Sequence, residues 1–466
     1  MTPVTRLSAW ARSPEGLLFL GLWILYGILI NAYDLESFNL QQMGIEAIVE
    51  RRHLFVDGSP TPQLQPRGDV FLHNGHLYAA KQPGQFFAGA LVYALLHAFG
   101  LSYLRNFLVT SALVTYFTAS LATAVAAVCV YRLARAWAAP AASPLWPWLV
   151  ALAFGVCSTA LPYAGVTHHD VLATSYLTAA FALLWLAEPR PRANALIGLL
   201  LGWTITTSML PAPMVAVVGV GALASNPRRA AWMVLGALVG IAPLLVYNWV
   251  SFGHPLLVPN VAGQFADTFF FFDWSNLSRK LAFYARMTTL YVPILWCGLI
   301  GLACFPARWR RPQLLVAAPI VALLAYVCNI ETLGGCQYGP RYLLPAVPFL
   351  ALGLIGFSYI AQPTRRRTVA VLIVAVAALS AIINAVGALY GVMYCDLRQY
   401  GFTHYLTAMR LGIFRAFPLA LWLTVPLALW AIAVGAAVQR TPGREEAARS
   451  IDETKTRVES RRTGSP

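Results

Sequence analysis

The feature that most constrains this chain is a succession of apolar runs separated by short basic clusters. A helix needs about 20 mostly apolar residues to cross the hydrocarbon core of a bilayer. Runs near that length are centred on 16–32, 106–130, 145–163, 170–187, 194–210, 211–225, 230–250, 288–305, 313–330, 342–361, 368–390 and 414–438, with a shorter thirteenth run at 86–100. The pattern predicts an all-α polytopic membrane protein whose transmembrane domain occupies residues 1–440.

Composition supports the same class. The chain is 59% hydrophobic and 11% charged, against about 25% charged residues in soluble domains. In water such a chain would expose large apolar patches. Its net charge of +15 sits in clusters between apolar runs rather than among aromatics along a groove, which argues against nucleic acid.

Those clusters set the sides. Arg6/Arg12, Arg132/Arg135, Arg190/Arg192, Arg228/Arg229, Arg308/Arg310/Arg311, Arg365/Arg366/Arg367 and the tail from Arg440 all fall inside if the spans alternate. Only an odd number of crossings fits between the outer end of span one and Arg132. The run at 86–100 is therefore expected to lie on, or dip into, the outer leaflet, giving 12 spans with both termini cytoplasmic. The alternative is 13 spans with Arg132 and Arg135 outside. The first run is followed by Asn31-Ala-Tyr-Asp34 rather than a small-x-small cleavage site, so it reads as an uncleaved span. The polar tail, 441–466, reads as a disordered cytoplasmic extension.

The outside loops are then 31–85, 163–170, 251–287, 329–341 and 391–413, and they hold nearly all the acidic residues before the tail. Because acidic residues contribute little to topology, this asymmetry suggests a polar chamber on the outer face. The seven cysteines show no metal-ligand or CxxC spacing. Five of them read as small buried hydrophobes. Cys336 and Cys395 fall in outside loops, where a bridge between them competes with the expected reading of two free thiols.

Four places in these loops can carry chemistry. Span one runs directly into Asp34-Leu-Glu36, two carboxylates at the membrane surface; a solvated span end would look the same, but ionised groups at that depth are costly. Residues 37–50 read as an amphipathic helix lying in the interface. The loop ends in Lys81-Gln-Pro-Gly84, a cation on a turn before an interfacial helix, suited to a lipid phosphate as well as to simple snorkelling. Thr167-His168-His169-Asp170 opens a span with a carboxylate that is either a cap or a site residue. Adjacent histidines point in different directions on a helix, so the triplet is a weak metal signal. Finally, Leu333-Gly-Gly-Cys-Gln-Tyr-Gly-Pro-Arg341-Tyr-Leu-Leu-Pro345-Ala-Val-Pro348 places an arginine on the outer side against the positive-inside bias, as an anion-binding residue would be.

Together with the Tyr247-Asn248…Phe252-Gly253-His-Pro255 turn, these segments resemble the GT-C membrane glycosyltransferases, nearest to the bacterial branch of aminoarabinose and protein mannosyl transferases. The resemblance spans about residues 30–360 and rests on the order and spacing of five motifs. It implies inverting transfer of a sugar from a polyprenyl-phosphate donor to an extracytoplasmic acceptor, in a bacterial inner membrane, without cofactor or metal. It further implies a catalytic role for Asp34 or Glu36, with Asp170 as a second acidic residue shaping the site. Lys81 and Arg341 would hold the donor phosphate, and His169, Tyr338 and Tyr342 would line the substrate pocket. The family often has Asp-Glu adjacent where this chain has Asp34-Leu35-Glu36, and a double proline where it has Gln82-Pro83, so either carboxylate can be the base. A transporter or flippase of a lipid-linked or small-molecule substrate is the competing reading. It expects inverted repeats and midplane charges, and the polar motifs here gather at the outer surface instead.

Overall fold

The structure, a computed structural model, describes residues 10–31, 39–140, 142–225, 230–264, 274–394 and 400–411. Asp34, Glu36, Cys395, the run at 414–438 and the tail lie outside the described residues. Helix α1 (Pro14–Ile28) begins as its sequence dictates. The Ser13 hydroxyl accepts the Gly16 N–H at 3.1 Å, and Pro14 takes the first helical position, where no N–H is needed.

The segment after α1 then folds as a small unit with its own core. It comprises α2 (Asn39–Glu46), continued by a π turn at Ala47–Arg51, the hairpin β1 (Val70–His73) and β2 (His76–Ala79), and α3 (Gly84–Ala98). Leu40, Met43 and Ile45 of α2 pack with Phe86 and Tyr93 of α3 and with Tyr103, Phe107 and Val114 of the long helix α4 (Tyr103–Trp137). Every residue of α2 is buried. This corrects the expectation of an amphipathic helix in the interface. Gly44 and Gly89 let α3 approach so closely that a Cβ on either would strike the Phe86 ring or Ile45 Cδ1, so α2 is enclosed by protein.

Glu15, in the first turn of α1, pairs with Arg135 near the end of α4 at 2.8 Å. The entrance of α1 and the exit of α4 therefore share one side, and the chain has crossed back by Trp137 through α4. Between them α3 buries Phe86, Gly89 and Tyr93 while leaving Leu91, Leu95 and Phe99 exposed, as a helix half in protein and half in lipid would.

The remaining bundle comprises α5 (Leu145–Gly155), α6 (His169–Leu186), α7 (Pro191–Thr207), α8 (Ala212–Ser225), α9 (Ala230–Phe252), α10 (Leu277–Tyr291), α11 (Ile294–Ala303), α12 (Arg310–Val327), α13 (Arg341–Tyr359), α14 (Pro363–Tyr390) and α15 (Gly401–Arg410). Among the described residues six helices are long and apolar enough to span a membrane, or seven if α10 and α11 count as one broken span. Shorter apolar helices stand at most of the other runs read from sequence. That pair departs from the expectation of a straight helix over 288–305. Val292 leaves helical geometry, Pro293 follows, and the axis bends by 113°. Residues 277–287, read as loop, are the first part of α10.

Helix α13 is buried over 94% of its apolar window and forms the centre, whereas α9 and α14 turn rows of exposed Leu, Val and Trp outward, as lipid-facing helices do. Cys336 is disulfide-bonded, not a free thiol. The correction has a local cause. The Tyr338 N–H donates to the Val392 carbonyl at 2.7 Å, pinning the 332–341 loop to the segment that follows α14.

Candidate active site

The hairpin aims the first cation. Asn74 and Gly75 both have positive φ (50° and 84°), the pair of values a two-residue I′ turn requires. That turn fixes the register Val70↔Ala79, so Asp69 faces Ala80, whose N–H donates to the Asp69 carbonyl at 2.7 Å. The next residue, Lys81, then reaches Asp69 Oδ2 at 2.8 Å. The ammonium holds the Asp69 carboxyl below the usual carboxylate range. After it, the Gln82 amide donates to Asn260 Oδ1 at 2.9 Å. Gly84 follows, where a Cβ would stand 2.6 Å from Thr207 Cα, so glycine permits this turn to press against the end of α7.

Asp170 stands in the first turn of α6. His168 caps that helix, its Nδ1 accepting the Asp170 N–H at 3.1 Å. The carboxylate is 2% exposed and surrounded by donors. The Ser208 hydroxyl, just past α7, donates to Oδ1 at 2.8 Å, and His169 Nε2 lies 3.3 Å from the same oxygen. Arg341 Nε lies 3.7 Å from Oδ2. A buried carboxylate needs this compensation, and the cluster is held by three segments far apart in sequence.

Arg341 opens α13 after Gly339 (φ 76°) and Pro340, and its guanidinium lies over the Tyr342 ring at 4.9 Å. Its Nε has no hydrogen-bond partner among the described residues. Its Nη1 is 3.4 Å from His168 Nε2. With Nδ1 already accepting, a neutral His168 carries its proton on Nε2 and cannot accept from arginine. The result is a half-buried cation paired in charge with Asp170, whose Nε meets no acceptor among the described residues.

Lys81, His169, Asp170, Ser208, Asn260, Tyr326, Arg341 and Tyr342 line one cleft. The structure thus brings together five residues singled out from the sequence: Lys81, His169, Asp170, Arg341 and Tyr342. It does not bring Tyr338 with them. That ring is fully buried against Tyr291 and Tyr405, with its hydroxyl donating to the Ile383 carbonyl at 2.7 Å. Asp69, Ser208, Asn260 and Tyr326 were not singled out. Asp69 had a usable signal, because Asn74-Gly75 between two apolar stretches is a hairpin turn that sets residue 69 opposite residue 80.

His168, His169 and Asp170 offer donor atoms that lie within 4.8 Å of one another. They fit a resident metal poorly. The His168 Nδ1 lone pair is engaged by a backbone N–H, and Arg341 already supplies the positive charge.

Beside the cleft runs an apolar groove with about 730 Å³ of empty space, part of it open, lined by α10, α11, α12 and α13. The two share walls. On α13, Arg341 and Tyr342 face the cleft while Leu343, Ala346 and Leu350 line the groove. On α12, Tyr326 belongs to the cleft while Ile320 and Leu324 belong to the groove. A charged chamber thus adjoins an oily slot.

No protein-family model and no curated protein sequence matches the chain. Among solved structures it is similar to ArnT from Cupriavidus metallidurans in the apo state, with 15% identity, 93% of this chain and 74% of that chain covered, and a TM-score of 0.52. The same protein bound to undecaprenyl phosphate gives 14% identity, 90% and 75% coverage, and a TM-score of 0.51. Identity this low speaks to the path of the backbone alone, and by that path this multi-pass membrane protein shares its fold with ArnT.

Proposed function

We propose that this chain is a membrane glycosyltransferase that moves a sugar from a polyprenyl-phosphate donor to an acceptor on the extracytoplasmic side. The observation that carries the reading is Arg341, whose Nε meets no acceptor among the described residues, sharing a cleft with Lys81 beside an apolar groove lined by the same helices α12 and α13. Such a groove suits an isoprenoid chain, and two cations beside it suit the phosphate. The backbone likeness to ArnT, which has been seen bound to undecaprenyl phosphate, supports the same class of donor.

In this reading an acceptor hydroxyl attacks the anomeric carbon from the face opposite the phosphate. A new C–O bond forms, the bond from the anomeric carbon to the phosphate oxygen breaks, and the electron pair leaves on polyprenyl phosphate, inverting the centre. Lys81 and Arg341 stabilise that departing charge. A carboxylate takes the hydroxyl proton, and Asp34 or Glu36 supplies it. Asp170, already engaged by Ser208 and His169, orients Arg341 rather than acting as base. No metal is required, since the charge on the leaving group is met by side chains.

The test uses purified protein in detergent with a panel of labelled polyprenyl-phosphate sugars and envelope acceptors. Release of polyprenyl phosphate is expected. Asp34→Ala or Glu36→Ala, whichever removes the base, is expected to abolish it, and Arg341→Ala to lower kcat/KM by roughly 100-fold or more, the scale of a lost transition-state donor. Full activity in Arg341→Ala would remove the proposed phosphate site. Substrate movement seen only across sealed vesicles, with no sugar transferred, would replace transfer by transport.

A further inference from the structure

Lys81 stands between two regular elements and belongs to neither. The hairpin's last backbone bond is made at Ala80, and Pro83 caps α3, so Lys81 and Gln82 bridge the two. A residue far along the chain reaches this stretch from another wall of the cleft. Asn260, in a single helical turn at Pro259–Ala262, accepts from Gln82 Nε2 at 2.9 Å and points its own Nδ2 at the Ala80 carbonyl, 3.5 Å away. A carbonyl can only accept, so the backbone decides which end of the Asn260 amide faces Ala80. The other end is left to take the Gln82 proton. One carboxamide thereby holds the residue before Lys81 and the residue after it. Gln82 is 4% exposed and Asn260 7%, and both line the cleft beside Lys81.

Docking alone does not require this bond. The segment that carries Asn260 already meets the hairpin through apolar contact. Phe252 lies against Phe71, His73 and Tyr78, and Leu257 and Ala262 pack on the same cluster. The Asn248 amide closes the intervening loop by donating to the Pro255 carbonyl at 2.9 Å. A buried polar pair adds direction to such packing, because it is satisfied in one geometry and costly in others. Asp69 also bonds to Lys81, but at the ammonium and through a carboxylate that is 54% exposed. It sets where the tip rests, whereas Asn260 acts on the backbone that carries the side chain.

We propose that Asn260 is a positioning residue that holds the 80–82 turn and so aims Lys81 into the cleft. Only the kinetic arm of its test rests on the proposed sugar transfer.

The test exploits a sparse residue type, since the chain has 3 lysines, Lys81, Lys280 and Lys455. Protein made with lysine labelled with ¹³C at Cε should give one signal for each, that of Lys81 assigned by its loss in Lys81→Arg. Asn260→Leu keeps the branched shape without the polar atoms. It is expected to broaden or split the Lys81 signal, as a turn released into several positions would, and to leave the other two as they are. It should also lower kcat/KM for the donor about tenfold or more, with the acceptor KM within about twofold, since an ångström of misplacement can cost on the order of 100-fold. Gln82→Met removes the same bond from its other end and serves if Asn260→Leu does not fold. The double variant should be no worse than the poorer single one, and the effect should persist in an Asp69→Asn background. A Lys81 signal as sharp as in wild type would overturn the inference, as would unchanged donor kinetics, additive losses in the double variant or an effect that vanishes with Asp69→Asn. If wild type transfers no sugar from any donor, the proposed function fails, and the lysine signal alone decides what Asn260 does.

Discussion

Lys81 and Arg341 enter the cleft with different company, and the difference sets what each can do. Arg341 is held against a buried carboxylate it cannot leave, whereas Lys81 bonds to Asp69, whose side chain is 54% exposed and can turn to solvent. A donor phosphate must displace Asp69 from Lys81 but need only approach Arg341. Asp69→Asn is therefore expected to lower the KM for the donor about threefold or more with kcat little changed, measured by donor titration at fixed acceptor; a raised KM would make Asp69 a binding residue. The pair also has a pH signature. The Asp69 carboxyl is depressed in the folded protein, so its stabilisation is present above the ordinary carboxylate range and is lost as pH falls through its folded value. Being half exposed, it is worth about 0.2–1 kcal/mol. Wild type should lose slightly more thermal stability than Asp69→Asn between pH 6 and strongly acidic pH, by scanning fluorimetry. At this scale the sequence revealed groups that break a rule: an arginine outside, a carboxylate opening a span, a lysine on a braked turn. Ser208 and Asn260 break no local rule and acquire roles through distant partners, so their residue types alone could not mark them.

Helix packing is governed by glycines at close crossings. Where α7 meets α9, a Cβ on Gly198 would lie 1.9 Å from the Met233 carbonyl oxygen, and one on Gly240 would lie 2.3 Å from that of Leu199. The same holds where α11 crosses α13, with Gly298 against Leu350 O at 2.0 Å and Gly353 against Gly298 O at 2.1 Å. Lipid gives no hydrophobic drive for helices to associate, so backbone proximity and the contacts it allows must supply it. Gly240→Val is expected to destabilise by about 1–3 kcal/mol or more, because the obstacle is backbone and cannot rotate away. Gly219→Ala, with nothing within 4 Å of its Cβ, should be neutral or slightly stabilising within α8. Equal melting temperatures for the two variants in detergent would contradict this account. Helices were legible wherever an apolar run was long, because the bilayer imposes length on composition. The break at Val292-Pro293 and the burial of α2 were not. A proline can be absorbed or can break a helix depending on neighbours, as Pro243 inside α9 and Pro319 inside α12 show. Likewise, the face that α2 turns inward depends on α3 reaching it through Gly44 and Gly89.

At the scale of the molecule, the question is how the first outer loop is held above the bundle. The Glu15–Arg135 pair brings the start of α1 and the end of α4 to one side, so α1 and α4 are antiparallel crossings, and any crossing by α3 would need a second one before Tyr103. Between α3 and α4 no segment is free to make it: α3 ends at Ala98, Gly100 turns the chain with φ 83°, and Ser102 already caps α4 by accepting the Arg105 N–H at 3.3 Å. We propose that α3 lies at the outer surface with the exposed Leu91, Leu95 and adjoining Phe99 in lipid, the placement that the charge count predicts. The arrangement has a functional use. In that placement Lys81, directly before α3, would lie at the depth of a lipid phosphate while the hairpin stays in water. A cysteine in place of Phe99, which is 79% exposed, should react with a membrane-impermeant maleimide added outside sealed cells and not with reagent confined inside inverted vesicles. The measurement is made on a background whose other accessible thiols are removed. Labelling from the cytoplasmic side would make α3 a true crossing, would put Arg132 and Arg135 outside, and would separate Lys81 from the membrane face on which the proposed donor phosphate must sit.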